Sequence, residues 1–186
     1  EVSKQNAPKV SFAEGLQTLT DTLRQRLGEA VHLNTAAACL QRTTAGWMVV
    51  VRAGSREEAR EHSTVLLAAP SYKLAELPVH DTRAIDLSLL DEINYPPVAS
   101  VVLGFRREDV AHPLDGFGML IPQVEGFKML GTIFSSSLFP GRAPAGHVTL
   151  TSYIGGMRAP DLALRNESEL VDMTVRDLQV LLGVKG

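Results

Sequence analysis

Residues 116–122 read Gly-Phe-Gly-Met-Leu-Ile-Pro, and two segments of similar character follow: Leu-Gly-Thr-Ile-Phe-Ser-Ser at 130–136 and Tyr-Ile-Gly-Gly at 153–156. Each segment is apolar and strand-like, and each contains a glycine that allows neighbouring backbones to approach closely. Three such segments favour a sheet with an apolar surface against which a flat, apolar ligand can lie.

The residues around these segments predict an α+β layer. Strands are expected at 98–105, 119–121, 129–134 and 148–154. The first of them is a continuous apolar run, which is typical of a strand buried on both faces. The second half of the chain therefore predicts a sheet of about four strands backed by helices.

A final helix is predicted to begin at Asn166 and to end at Gly183. Asn166 and Glu169 have the spacing of an N-cap pair, and glycine is the usual residue just after a helix end. The apolar stripe of this helix is expected to contain Val171, Val175, Leu178 and Leu182.

The chain opens with a polar lead-in at 1–10, followed by a predicted amphipathic helix. Ser11 and Glu14 have the spacing of a capping box, and Gly28 is expected to end the helix in a left-handed cap. The apolar stripe consists of Leu16, Leu19, Leu23 and Leu27.

After this helix the pattern predicts one incomplete αβ layer. Strands are expected at 31–35, 47–51 and 64–68, and one or two short helices at 71–92. The run 56–61 mixes arginines with glutamates, which indicates a solvated loop or helix face.

Composition limits the function more than it specifies it. The chain has 186 residues, of which 45% are hydrophobic, and a formal net charge of −3. The length allows a real core, and the negative charge gives no basis for nucleic-acid binding. No apolar run reaches the roughly 18 residues of a membrane-spanning helix. Because the chain begins Glu-Val-Ser without methionine, we expect an internal piece of a longer protein.

No residue pattern predicts a catalytic residue or a metal site. The five histidines have no metal-ligand spacing, and Cys39 lies in an apolar run typical of packing. Ser135 and its two neighbouring serines have no adjacent base, and the chain contains no G-x-G-x-x-G and no P-loop. From the residues alone, an ordinary core is the favoured interpretation of the apolar positions Leu120, Ile133 and Tyr153.

Taken in order, the segments resemble the protoporphyrinogen oxidases, which belong to the amine-oxidase-like flavoproteins. The most specific part is Gly-Phe-Gly at 116–118, then Leu-Gly-Thr-Ile-Phe-Ser-Ser at 130–136 and Phe-Pro-Gly-Arg-Ala-Pro at 139–144. The resemblance runs from about Phe12 to Gly183 and identifies the chain as similar to the middle portion of such an enzyme. It implies an α+β fold in which a partial FAD-domain αβ layer at 1–72 precedes a substrate-binding domain at 73–186. That domain would have a mixed sheet of about four to six strands backed by helices.

The resemblance also implies roles for six residues. Four of them would bind a tetrapyrrole substrate: Leu120, Ile133 and Tyr153 would face the macrocycle, and Gly118 would lie near the isoalloxazine of the flavin, where the reacting carbon approaches. The resemblance further implies two cofactor-binding residues near the adenosine end of FAD, Ala37 and Ala69. No catalytic acid or base and no metal ligand is implied.

The activity implied is oxidation of protoporphyrinogen IX to protoporphyrin IX with oxygen as acceptor. FAD would be the cofactor of the intact enzyme and is not expected to bind these residues alone, which need the remaining FAD-domain segments of the same polypeptide. A cytoplasmic location is expected; membrane association of the intact enzyme and self-association of this chain stay open.

Three alternatives also stay open. They are a coproporphyrinogen oxidase, another amine-oxidase-like flavoenzyme, and a non-catalytic module that binds an apolar ligand. A tetra-propionate substrate would favour additional arginines or lysines at the pocket rim, and the predicted strands offer few.

Overall fold

The structure, a computed structural model, describes residues 9–185. These residues form two compact units: one is Leu16–Tyr95, and the other is Pro96–Gly186 with Glu1–Gly15, as far as each is described. Most of the predicted lead-in at 1–10 lies outside the described residues. The predicted boundary at residue 72 divides the chain by role, into a cofactor-binding part and a substrate-binding part. The compact units do not test such a boundary, so it stays a prediction.

The unit Leu16–Tyr95 is built on a five-stranded sheet in the order β3-β2-β1-β4-β5. Its helices are α1 (Gln17–Leu27) and α2 (Ser71–Ala75), and its strands are β1 (Ala36–Arg42), β2 (Trp47–Ala53), β3 (Arg56–His62), β4 (Val79–His80) and β5 (Ala84–Ile85). β1 pairs in parallel with β4, and the other pairs are antiparallel. Leu40, Val49 and Val79 form the buried core beside the central strand β1.

The charged run at 56–61 is the edge strand β3, so its interpretation as a solvated loop or helix face was wrong. Gly54, with a φ of +61°, lies in the turn that reverses the chain after β2. Backbone pairing with the apolar β2 sets the conformation, while the side chains stay largely in solvent. Glu58 lies 3.1 Å from Arg60, whose hydrogen bond lowers the pKa of that carboxyl.

Of the other strands predicted in this half, only the one at 47–51 is confirmed, as β2. The prediction at 31–35 was wrong because Asn34 has a φ of +55°, so that regular extension begins only at Ala36. The prediction at 64–68 was also wrong: Val65 packs against the core, but the segment pairs with no strand of the described sheet. Short helices at 71–92 are confirmed by α2 and by the 3-10 helix Ser88–Glu92.

Helix α1 is present, but both of its predicted ends differ. Its N-cap is Leu16 with no side-chain cap, because a turn at Gly15 (φ +96°) separates Ser11 and Glu14 from the first helical turn. Gly28 has a positive φ of 53° but a ψ of −123°, which is not a left-handed cap, and the 3-10 helix Gly28–Ala30 begins at this residue. The leucine stripe of α1 is exposed, since no residue of the helix is buried within the described chain.

The second unit is built on a four-stranded sheet in the order β6-β9-β8-β7. Its strands are β6 (Val98–Arg106), β7 (Gly118–Leu120), β8 (Met129–Ile133) and β9 (His147–Gly155), and its helices are α3 (Ser135–Leu138) and α4 (Glu167–Leu182). All four predicted strands are confirmed closely. The pairings among them are antiparallel, whereas the parallel pairing of the molecule lies in the first sheet. Together the two sheets and four helices confirm the α+β class.

Only one face of the second sheet carries the core. Met129, Leu150 and Ile154 are completely buried on this inner face, together with Leu178 and Leu182 of α4. The prediction that β6 is buried on both faces was wrong, because the core packs on only one face of this sheet and the alternate side chains of β6 point outward. Val102, for example, is 59% exposed. This leaves the outer face of the sheet open to a ligand.

Helix α4 has the predicted ends but a different buried face. The Asn166 side chain accepts a hydrogen bond from the Glu169 backbone N–H at 3.0 Å, and Gly183 has left-handed dihedrals. Leu178 and Leu182 are buried as predicted, but two polar residues, Thr174 and Asp177, are buried as well. An apolar pattern could not have indicated either of them.

Candidate functional site

Strand register brings three cleft residues into one row on the outer face of the second sheet. Leu120 of β7 lies opposite Gly131 of β8, and Gly131 lies opposite Tyr153 of β9. Because glycine has no side chain, Leu120 and Tyr153 stand on either side of a flat floor.

The next row of the same face contains the other predicted substrate residues. Gly118 lies opposite Ile133, two residues along each strand from Leu120 and Gly131. Side chains two residues apart in a strand share a face, so Ile133 projects on the same side as Leu120 and Tyr153.

All four residues predicted to contact the substrate line a single cleft of about 430 Å³, here called the apolar cleft. Its lining consists of Val98, Phe117, Gly118, Met119, Leu120, Leu130, Gly131, Thr132, Ile133 and Tyr153. Sequence reasoning did not single out Val98 and Leu130. The continuous apolar run of β6 does not show which of its residues face outward, and Leu130 enters through the pairing of β7 with β8.

The apolar cleft presents large hydrophobic side chains to solvent. Leu120 is 90% exposed, and Phe117 and Val98 are also largely exposed. Contiguous exposed apolar surface of this kind is typical of binding sites rather than of an inert surface.

Two glycines of the apolar cleft are required by the sheet itself. Gly118 has a φ of +152°, and a Cβ placed on it would overlap the Thr132 carbonyl oxygen. A Cβ on Gly131 would lie 2.5 Å from the Met119 carbonyl oxygen. Close pairing of β7 with β8 therefore explains both glycines, whatever molecule approaches the cleft.

The chemistry of the apolar cleft is that of a binding surface. Among its described lining residues there is no carboxylate, amine, guanidinium, imidazole or thiol. Hydroxyl groups of this sheet bond to one another: on its buried face Ser152 donates to Thr132 at 3.0 Å, and the Ser135 and Thr151 hydroxyls lie 2.7 Å apart. The cleft can bury and orient an apolar ring system, and the Tyr153 phenol is the one ionisable group in its described lining.

The two residues predicted to bind the cofactor also line one cleft, in the unit Leu16–Tyr95. This cleft of about 560 Å³, here called the alanine cleft, contains Ala37 on β1 and Ala69 before α2. β1 has a bulge between Ala37 and Cys39, and its pairing with β4 begins only at Leu40. The β4 side of the Ala36–Ala38 backbone is thus left uncovered by that strand, and the small side chains permit close approach.

Charged side chains at the alanine cleft are already paired. Arg52 lies 3.3 Å from Glu57, and Lys73 lies 3.0 Å from Glu76. Both pairs are exposed to solvent and therefore weak, whereas the small alanines and the uncovered backbone suit the close approach of a flat ring.

Residues 9–185 contain neither a cluster of metal ligands nor a membrane-spanning helix. No three histidine, cysteine, aspartate or glutamate side chains come together there as a metal site would require. In the same residues, no helix has the length and apolar character needed to cross a bilayer.

The chain is similar in sequence to one protein family and to two plant proteins that share a name. The sequence profile of the family described as flavin containing amine oxidoreductase matches residues 2–186. The mitochondrial protoporphyrinogen oxidase of Nicotiana tabacum is 33% identical over 196 aligned residues, which cover 98% of this chain and 39% of that protein. Protoporphyrinogen oxidase 2 of Arabidopsis thaliana, named as chloroplastic/mitochondrial, is 36% identical over 187 residues, 95% of this chain and 37% of that protein.

A solved structure shares the fold. The crystal structure of a proposed protoporphyrinogen oxidase from Exiguobacterium sp. 255-15 matches with a TM-score of 0.74 at 19% identity, covering 95% of this chain and 37% of that one. The chain thus spans less than two fifths of the length of these relatives.

Proposed function

This chain belongs to the flavin-containing amine oxidoreductases, and from that premise we propose that it is the middle part of an oxidase of protoporphyrinogen IX. The product would be protoporphyrin IX, and oxygen would be the electron acceptor. The relatives named as protoporphyrinogen oxidases support this substrate class over the amines of other family members.

The observation that carries the proposal is the apolar cleft. Leu120, Ile133 and Tyr153 come from three different strands and project from one face around the glycine floor. A tetrapyrrole is large, flat and mostly apolar, so aliphatic side chains can hold it by desolvation while the phenol ring stacks on a pyrrole. Burial of apolar surface gives about 25 cal/mol per Å², which amounts to several kcal/mol for such a ligand before ordering costs.

The alanine cleft is proposed to hold the adenosine end of FAD. The uncovered backbone at Ala37 would meet the edge of the adenine ring, and Ala69 would leave room for the adenosine or pyrophosphate. When bound, FAD supplies the hydride-accepting chemistry. The residues of this chain would bind and orient the substrate and exclude water. The proposal assigns no catalytic acid or base among them.

On this proposal residues 1–72 serve FAD and residues 73–186 serve the substrate. The remaining FAD-domain segments of the same polypeptide would complete the cofactor site. A cytoplasmic location and membrane association both remain predictions for the complete protein, and subcellular fractionation would test them.

The direct test is oxidation of two porphyrinogens by the complete flavoprotein. We expect protoporphyrinogen IX to be oxidised with a higher kcat/KM than coproporphyrinogen III, because the described lining of the apolar cleft offers no cation for two additional propionates. Porphyrin fluorescence and oxygen uptake measure the two reactions. A preference for coproporphyrinogen III would favour the alternative oxidase. Porphyrin binding without oxidation of either substrate would favour a non-catalytic binding module.

A second prediction concerns residues 1–186 expressed alone. We expect no stoichiometric FAD to co-purify, because the sequence contains no glycine-rich cradle for the pyrophosphate. The absorbance spectrum of the purified polypeptide measures bound flavin directly. A flavin spectrum at a one-to-one ratio would contradict this prediction and would mean that the alanine cleft binds FAD without phosphate contacts from other segments.

A further inference from the structure

The connection between β7 and β8 is held at both of its ends by charged side chains from elsewhere in the second unit. It runs from Ile121 to Lys128, directly after Leu120 and shortly before Leu130, two residues of the apolar cleft. The two charged residues are Arg158, just after β9, and Asp177 on α4.

Arg158 links the two strands of this hairpin. Its guanidinium donates to the Ile121 carbonyl oxygen at 2.7 Å and to the Met129 carbonyl oxygen at 3.3 Å. Ile121 and Met129 are themselves buried, so these bonds lie at the base of the cleft wall and not at its surface.

Asp177 holds the same point from the helix side. One carboxylate oxygen accepts the backbone N–H groups of Lys128 at 2.8 Å and of Met129 at 2.9 Å. Asp177 is only 9% exposed. A buried carboxylate is costly unless such bonds satisfy it, and charge-assisted bonds to backbone N–H groups are the stronger kind.

The two side chains therefore fix Met129 from both sides, through its carbonyl oxygen and through its N–H. The next residues of β8 are Leu130 and Gly131, the wall and floor of the apolar cleft. A packed apolar pair could stabilise the fold equally well, whereas bonds to named backbone atoms define one backbone position.

We propose that Arg158 and Asp177 are positioning residues that hold the β7–β8 wall of the apolar cleft in the shape its ligand needs. Neither side chain lines the cleft, so each acts through the backbone. The ligand part of this proposal rests on the proposed function, whereas the backbone part does not.

The test uses the complete flavoprotein with Asp177→Asn and Arg158→Lys. The matched control is Asp172→Asn, an exposed aspartate on the same helix. Hydrogen exchange is followed at the Ile121 N–H, which donates to the Leu130 carbonyl oxygen at 3.0 Å but contacts neither charged side chain. The Arg107 N–H, bonded to the Gly146 carbonyl oxygen at 2.8 Å, continues the β6–β9 pairing at the end opposite Arg158 and reports the rest of the sheet. Protoporphyrin IX is the binding probe.

We expect both variants to raise exchange at Ile121 and the Kd for protoporphyrin IX by about tenfold each, the scale of a lost charged hydrogen bond. Exchange at Arg107, the flavin spectrum and the control should not change. If Asp177→Asn does not fold, Arg158→Lys, which keeps the charge, carries the test.

Unchanged exchange at Ile121, equal rises at Ile121 and Arg107, or a lowered melting temperature with an unchanged Kd would each overturn the positioning role. Failure of the unsubstituted protein to bind protoporphyrin IX, with the exchange result as expected, would instead contradict the proposed function and leave the backbone role standing.

Discussion

Gly118→Ala is expected to lower the free energy of unfolding by about 3 kcal/mol. Two causes add up to this loss: the strain of a positive φ in a residue with a Cβ, and the overlap of that Cβ with the neighbouring backbone. Gly118 has a φ of +152°, and a Cβ there would overlap the Thr132 carbonyl oxygen. Since that oxygen belongs to the neighbouring strand, the methyl group can be accommodated only if β7 and β8 separate. Chemical denaturation of the variant measures the change.

Gly116→Ala provides the matched control two residues earlier. Its φ is not positive, and a Cβ there would have no neighbouring atom within 4 Å. The control should stay within about 0.5 kcal/mol of the parent protein, as ordinary surface substitutions do. Equal losses at the two glycines would mean that the close pairing of β7 with β8 does not determine the need for glycine.

Leu120→Ala is expected to weaken protoporphyrin IX binding by the complete protein by about 30-fold, since a fully buried leucine side chain contributes about 2 kcal/mol. Stability should hardly change, because Leu120 is 90% exposed before a ligand covers it. Fluorescence titration gives the Kd, and thermal unfolding of the ligand-free protein gives the stability.

Val124→Ala is the control for this second result. Val124 is 88% exposed and lies in the β7–β8 connection, but it does not line the apolar cleft. Its removal should leave both the Kd and the melting temperature unchanged. An unchanged Kd for Leu120→Ala would remove the cleft from consideration as the porphyrin site.

The accuracy of sequence-based prediction differed between the two halves of the chain. In the second half, the strands around Leu120, Ile133 and Tyr153 and the cap at Asn166 were all predicted, because their signals are local: alternation, turn glycines and a side chain that reaches its own backbone. In the first half, β3 was missed because its own side chains are charged and exposed. Its strand conformation comes from the partner β2.

In the candidate site, too, some residues were indicated by the sequence and others were not. The resemblance named Gly118, Leu120, Ile133 and Tyr153 together, and their assignment to substrate binding remains a prediction. No sequence pattern assigned a role to Asp177, since nothing in its sequence neighbourhood indicates that it meets backbone N–H groups nearly fifty positions away. No periodicity encodes such a contact.

Short-range pattern was thus sufficient for the elements of the second unit and for the apolar character of its sheet, because these depend on residues within a few positions of one another. Packing alone set which side chains share a face and which carboxylate reaches which N–H. Register is the sum of pairing and burial energies over strands far apart in the chain, and a shift of one residue would turn Leu120 away from Tyr153.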